Sequence, residues 1–505
     1  MRNLIIIVFF LIQVVVSAQN KKDPPPISAD SLRILKNAVE ANPDSIRVHQ
    51  GYIKAVGINS SRLPVQYKTW SKQFPKSAIV PFAIGDAYYN VESPKAKPWL
   101  LKALSINPRF AKAYFDLWVD GERWGDFVGS REYLRKALES DSQNPDYTFY
   151  YGNTFKETDP ERYKREMWAL PKNFPKSERG AQALYWLGLY VTDYDEKIKV
   201  YSQLKEKYPP EKSGWSSSGM YNFFYTYLER EPAKALEVAN SIIAISTAEN
   251  DKKSWGDRAK VAQDLIKVKS LLAERKATAA LGIAEAINLE RRSPATDQII
   301  LLKSEIYDIT GNTKLAYEKL VGYYALNPGD QVKEALLKYG KKLGKNNDGA
   351  FADIWKIRDS TAVQATPFSL EQYLKAGKAS LSDFKGKVIL LTYWFPGCGP
   401  CRGEFPYFEQ VIRKFSKEKV VYLGINIESS QDEYVVPFIK SSGYSFIPLK
   451  GENDKQGNLS ARGAPTNYLI DQEGRIIFKN FRTDRHNVRS LELMISEVID
   501  KGKSR

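Results

Sequence analysis

The sequence predicts a multidomain chain in which an all-α helical-repeat solenoid precedes an α/β domain with a mixed central sheet. Three observations predict it. The length of 505 residues exceeds what one hydrophobic core usually supports. From about Asp30 to Gly344 apolar residues follow helical spacing, and Pro43, Pro75, Pro108, Pro145, Pro175 and Pro209 recur at separations of 32, 33, 37, 30 and 34 residues. From Thr366 onward, short β-branched and aromatic runs alternate with helical ones.

The first residues, MRNLIIIVFFLIQVVVSAQ, place Arg2 before an apolar run from Leu4 to Val16, followed by the small residues Ser17 and Ala18. Residues 1–18 are expected to be an export signal cleaved at Ala18/Gln19, which would make the protein periplasmic. The run is shorter than the roughly 20 apolar residues of a spanning helix, but left uncleaved it would act as a membrane anchor. No cysteine follows it, which excludes a lipoprotein anchor. Residues 19–29 read as a linker stiffened by Pro24 to Pro26.

Residues 30–344 are the expected repeat region. One helix of a unit carries small and aromatic residues at i, i+3, i+4 spacing, as in Ala181, Leu184, Tyr185 and Gly188, and the next proline ends a second helix. Neither helix can bury its apolar face alone, so neighbours must stack. The period, the segment IGDAY (Ile84 to Tyr88) and the small residues Gly85, Gly152 and Gly188 resemble tetratricopeptide repeats. That resemblance implies a concave surface on which a protein partner could dock. Gly, Asn and Lys cluster at 340–349, so 345–365 reads as a linker and 366–505 as the second domain.

In that domain KVILLTYWF reads as a buried strand and PCRGEFPYFEQVIRKFSKE as a helix. VVYLGINIE (strand), EYVVPFIKSSG (helix), the strand pair TNYLIDQ and RIIFKNF, and the helix NVRSLELMISEVIDKG follow. The net charge of +16 is spread along the chain, with no basic block and no nucleic-acid motif, so no nucleic-acid partner is expected.

The chain's two cysteines, Cys398 and Cys401, lie where the first of these strands passes into its helix. A disulfide closing so short a loop would constrain the unfolded chain very little, which argues against a staple. Zinc would need further ligands, and the only histidines, His49 and His486, belong to no ligand cluster; no metal is expected. A c-type haem needs a histidine where Arg402 stands, and no other cofactor is expected. At a helix N-terminus, unpaired N–H groups and the helix dipole favour a thiolate, which makes Cys398 the expected attacking group. Pro400 fits the first helical turn, and Cys401, nearly one turn inward, is placed to resolve a mixed disulfide.

These residues resemble the thioredoxin family and, more closely, its exported TlpA/ResA-like branch. The Cys-Gly-Pro-Cys run with Gly399 and Pro400, Trp394 four residues before Cys398, Pro406 in the helix, and RGAPTNYLIDQEGRI carry the resemblance over about residues 366–500. It implies a thioredoxin fold and thiol–disulfide oxidoreductase activity through a redox-active Cys398–Cys401 disulfide, with the Gly-Pro dipeptide favouring reduction. It also implies a cis-proline at Pro465, a main-chain substrate contact at Ala464, and a docking surface shaped by Trp394. Protein thiols and disulfides would be the substrates, and a membrane or periplasmic donor would supply electrons. Two departures stand out. Thr392 occupies the position of the family's buried aspartate, and Glu404, matching the glutamate of the branch's CxxCxxEFP pattern, would take the proton of Cys401. Gly397 replaces a tryptophan before Cys398, which would open the docking surface. FKGKVILLTYWF also resembles the first strand of peroxiredoxins, but Phe395 stands where that family has a threonine. The rival class is a binding scaffold in which the repeats carry the function and the second domain is regulatory; an intact cysteine pair argues against it.

Overall fold

The computed structural model describes residues 28–290, 292–452 and 456–503, and the expected export signal lies outside them. Among the described residues no helix is long and apolar enough to cross a membrane.

From α1 (Ala29–Ala41) to α19 (Asn347–Thr361) the chain is a succession of helices. The repeat prolines act as stops. Helices α1, α3 (Arg62–Gln73), α5 (Ala96–Ile106), α9 (Pro160–Asn173) and α11 (Tyr194–Lys207) each end two residues before Pro43, Pro75, Pro108, Pro175 and Pro209. The residue between leaves the helical region in every case (Asn42, Phe74, Asn107, Phe174, Tyr208), because a following proline ring crowds the α conformation and offers no N–H to continue it. Pro145 differs: it opens α8 (Pro145–Asn153), where a missing N–H leaves no bond unmade, and Asn144 caps it through the Asp146 N–H (3.0 Å).

Small residues set the closeness of the hairpins. A Cβ added at Gly188 of α10 (Glu178–Tyr190) would stand 2.5 Å from the Tyr201 ring on α11, and one at Gly85 of α4 (Ile79–Asn90) 3.0 Å from Leu100 on α5. The segment 345–365, expected as a linker, is largely the helix α19. The Asn and Gly that read as a break start the helix instead: Asn346 accepts from the Gly349 N–H (2.8 Å), and Ala350 and Ile354 are buried in an apolar cluster with Tyr317 and Leu336.

The chain forms two compact units. One comprises Lys156–Val363 together with Arg489–Glu497. Within it the buried Glu497 carboxylate receives Arg358 (2.9 Å), Lys333 (3.1 Å) and the Tyr324 hydroxyl (2.5 Å), partners that a buried charge requires.

The other comprises the described residues up to Phe155, Gln364–Val488 and the chain from Val498. Its helical core packs Tyr67, Trp70, Ile84, Leu100 and Leu117. Its sheet has the order β1-β8-β7-β4-β5-β6, with β1 Val363–Gln364, β4 Val388–Trp394, β5 Val420–Asn426, β6 Ile447–Lys450, β7 Thr466–Ile470 and β8 Arg475–Lys479. A separate hairpin joins β2 (Ser369–Glu371) to β3 (Lys378–Ser380). Strand β4 runs parallel to β5 and antiparallel to β7, and all seven of its residues are buried. A strand covered on both faces reads as a continuous apolar run; burying each of its leucines contributes about 1.5–3 kcal/mol. Helix α20 (Gly399–Ile412) follows β4, α21 (Asp432–Ser442) follows β5, and α22 is Val488–Lys503.

Candidate functional site

The site grows from the end of β4. After Trp394 the chain turns tightly, with the Cys398 N–H on the Phe395 carbonyl (2.9 Å), and Cys398 becomes the N-cap of α20. Its sulfur accepts from the Cys401 N–H at 3.2 Å, one of the orphan donors of the first turn. The Cys398 and Cys401 sulfurs are bonded to each other, with 5.3 Å between their Cα atoms. Cys398 is 3% exposed and Cys401 fully buried, while Gly399 and Pro400 between them lie open. Pro406 stands inside α20.

Strand β7 brings the second part. Thr466 pairs with Tyr393 in antiparallel register, so Ala464 and Pro465 lie beyond the end of β4 from which the cysteine turn departs. The Ala464–Pro465 bond is cis, and both residues are half-buried. The structure therefore places the cysteine turn and the proline segment at one end of the sheet.

Glu404, one turn inward from Cys401, is buried, and its carboxylate accepts from Arg482 Nε (2.6 Å), the Thr483 N–H (3.0 Å) and Asn467 Nδ2 (3.0 Å). The same Asn467 amide reaches the Phe481 carbonyl (2.9 Å). Asn467, Arg482 and Thr483 were not readable as site residues; the one available signal was an asparagine inside an otherwise apolar strand. Thr392 is directly across from Asn467 in the sheet, and the Thr392 Oγ1 and Asn467 Oδ1 atoms are buried without a partner among the described residues.

Two expected positions differ. Trp394, expected on the docking surface, is fully buried among Phe405, Phe438 and Phe446, with ring centroids 5.5, 5.0 and 4.9 Å away. The indole fits inward because Gly424 on β5 leaves it room. Gly397, expected to leave the surface open, is half-buried beside Gln431 and Glu92. Its N–H donates to Gln431 Oε1 (2.7 Å), the Gln431 amide donates to Glu92, and a Cβ here would stand 2.5 Å from Glu92 Oε2. Arg402, next to Cys401, is pushed below its usual pKa by burial, with Glu122 and Glu92 opposing the shift. Among the described residues no cluster of His, Cys, Asp or Glu could hold a metal ion.

The Redoxin family pattern matches residues 361–495. The chain is 31% identical over 115 residues to a thioredoxin-like protein, YneN, of Bacillus subtilis, covering 22% of this chain and 66% of that protein, just under two thirds of its length. It is 32% identical over 133 residues to the thiol-disulfide oxidoreductase ResA of Bacillus cereus, covering 26% of this chain and 74% of ResA. Among solved structures it is similar to the thioredoxin domain of a thiol-disulfide oxidoreductase from Bacteroides vulgatus, at 25% identity and a TM-score of 0.24 over 27% of this chain and 96% of that one.

Proposed function

Because the chain belongs, through its C-terminal part, to the thiol-disulfide oxidoreductase family that includes ResA, we propose that it is an exported, periplasmic enzyme that reduces protein disulfides through Cys398 and Cys401. The observation that carries this reading is the bonded cysteine pair at the cap of α20, at the same sheet end as the cis Ala464–Pro465 segment.

In the reduced enzyme the Cys398 thiolate attacks one sulfur of a substrate disulfide, forming a mixed disulfide and releasing the first substrate thiolate. Cys401 gives its proton to Glu404, whose oxygens are held in place by Arg482, Thr483 and Asn467. The Cys401 thiolate then attacks the Cys398 sulfur, freeing the second substrate thiolate and leaving the Cys398–Cys401 disulfide. Two electrons pass to the substrate, whose sulfurs take up protons. A membrane or periplasmic dithiol donor restores the enzyme. Pro465 and the Ala464 main chain receive the substrate strand; Gly399, Pro400 and Pro406 shape the turn and helix that present the sulfurs. In this reading the redox domain spans 366–505, and residues 30–344 are tetratricopeptide-like repeats that dock a partner.

Insulin reduction by the mature protein tests the reading. Cys398→Ser should abolish it, and equal rates for the two proteins would sink the proposal. Trapping with Cys401→Ser should accumulate mixed disulfides on Cys398.

A further inference from the structure

Helix α4 closes with the Ser93 N–H on the Tyr88 carbonyl (2.9 Å) and the Glu92 N–H on the Tyr89 carbonyl (2.9 Å), and Glu92 has φ +55°. That left-handed position at a helix end favours glycine, since a Cβ is crowded there. The next hairpin obeys the preference. Thirty-three residues on, after α6 (Ala111–Arg123), Gly125 takes φ +72°, with its own N–H on the Glu122 carbonyl (3.2 Å) and the Asp126 N–H on the Gly121 carbonyl (3.0 Å). A glutamate thus occupies a glycine position, and its side chain is fully engaged. One oxygen accepts from Arg123 (3.2 Å) and the other from the Gln431 amide, which also holds the peptide N–H of Gly397, the residue before Cys398.

The turn after α6 makes a second contact with the same domain. A Cβ at Gly125 would stand 2.6 Å from the Phe438 carbonyl of α21, the Tyr434 hydroxyl donates to Asp120 (2.7 Å), and the Trp124 ring packs edge-on against Tyr434 at 4.7 Å. The two turns together hold the first repeats beside the cysteine turn.

We propose that Glu92 is a specificity-determining residue that pins the turn after α4 beside Cys398 as a wall of the substrate site. The dithiol then reduces small disulfides, and protein disulfides in thin extended segments arriving along Ala464–Pro465, faster than disulfides in bulky protein surroundings, which it still reduces at a lower kcat/KM. This rests on the thiol–disulfide reading above. The near-complete burial of Cys398, with Glu92 and Gln431 against the half-buried Gly397 on one side and Gly399 and Pro400 open on the other, is what such a one-sided approach requires.

The test compares kcat/KM for insulin with kcat/KM for glutathione disulfide, using the full mature chain. Glu92→Gly removes the carboxylate and suits φ +55°, so the backbone of the turn is retained. It should raise the insulin-to-glutathione ratio about tenfold or more, mainly through KM for insulin. Glu92→Gln, which still offers an oxygen to the Gln431 amide, should keep the ratio near that of wild type. An unchanged ratio in Glu92→Gly overturns the inference. If that variant fails to fold, Glu92→Asn, which tolerates φ +55° and is one carbon too short to keep the bond to the Gln431 amide, gives the same readout. Failure of the thiol–disulfide reading looks different: wild type and Cys398→Ser would then reduce both disulfides at equal rates.

Discussion

The two sides of α20 hold the redox helix with opposite materials. On one side Phe405 meets Trp394, Phe438 and Phe446 in an aromatic cluster with no hydrogen bond among the rings; on the other, Glu404 collects Asn467, Arg482 and Thr483. Ring packing depends on filled volume and is tolerant of direction, whereas a carboxylate accepting three donors is exacting in direction. The difference teaches how the cysteines are placed: packing sets the depth of the helix against the sheet, and the carboxylate sets its rotation.

Emptying the apolar side should have the largest effect on stability. Phe405→Ala should lower the unfolding free energy by about 3–5 kcal/mol in urea titration. A loss under about 1 kcal/mol would show that the cluster collapses freely and does not set the depth. Breaking the polar side comes next. Glu404→Ala strands the Thr483 N–H and Asn467 and should lower stability by about 1.5–3 kcal/mol, with the half-exposed Arg482 contributing little of it. It should also slow the second chemical step, so that mixed disulfide persists on Cys398 in quenched-flow sampling; Glu404→Gln should restore part of the stability and little of the rate. Asn467→Ala removes one neutral donor from the same carboxylate and should lower stability by about 1 kcal/mol. The smallest effect belongs to Thr392→Val. Its hydroxyl is buried without a partner among the described residues, so an apolar group of equal shape should be neutral or stabilising, within about 0.5 kcal/mol by thermal unfolding. A large loss there would mean the hydroxyl belongs to the polar side.

Much of this was legible locally. Strand β4 is a continuous apolar run, α20 opens at a Cys-Gly-Pro-Cys turn, and the prolines that stop α1, α3, α5, α9 and α11 act through their immediate neighbours. Strand β6 was not legible, because it is four residues long and contains Pro448, and the β2–β3 hairpin is shorter still. Helix α19 was missed because Asn346 and Gly349 serve a cap as readily as a loop. At the site, the cysteines were found because their chemistry lies in their spacing. The partners of Glu404 lie 63 to 79 residues away, and Glu92 lies 339 residues from Gln431; no periodicity links such positions, because three-dimensional packing alone brings them together.

That last separation bears on how the protein is made. At a synthesis rate of about 5–20 residues per second, Gln431 follows Glu92 by roughly 20–70 seconds. Throughout that interval the turns after α4 and α6 lack the surface they cover, and Trp124 and the left-handed Glu92 are without the Tyr434 and Gln431 partners they meet in the finished fold. A chain cut short after its helices would keep that surface bare for its whole lifetime, a mark that sets unfinished copies apart from finished ones.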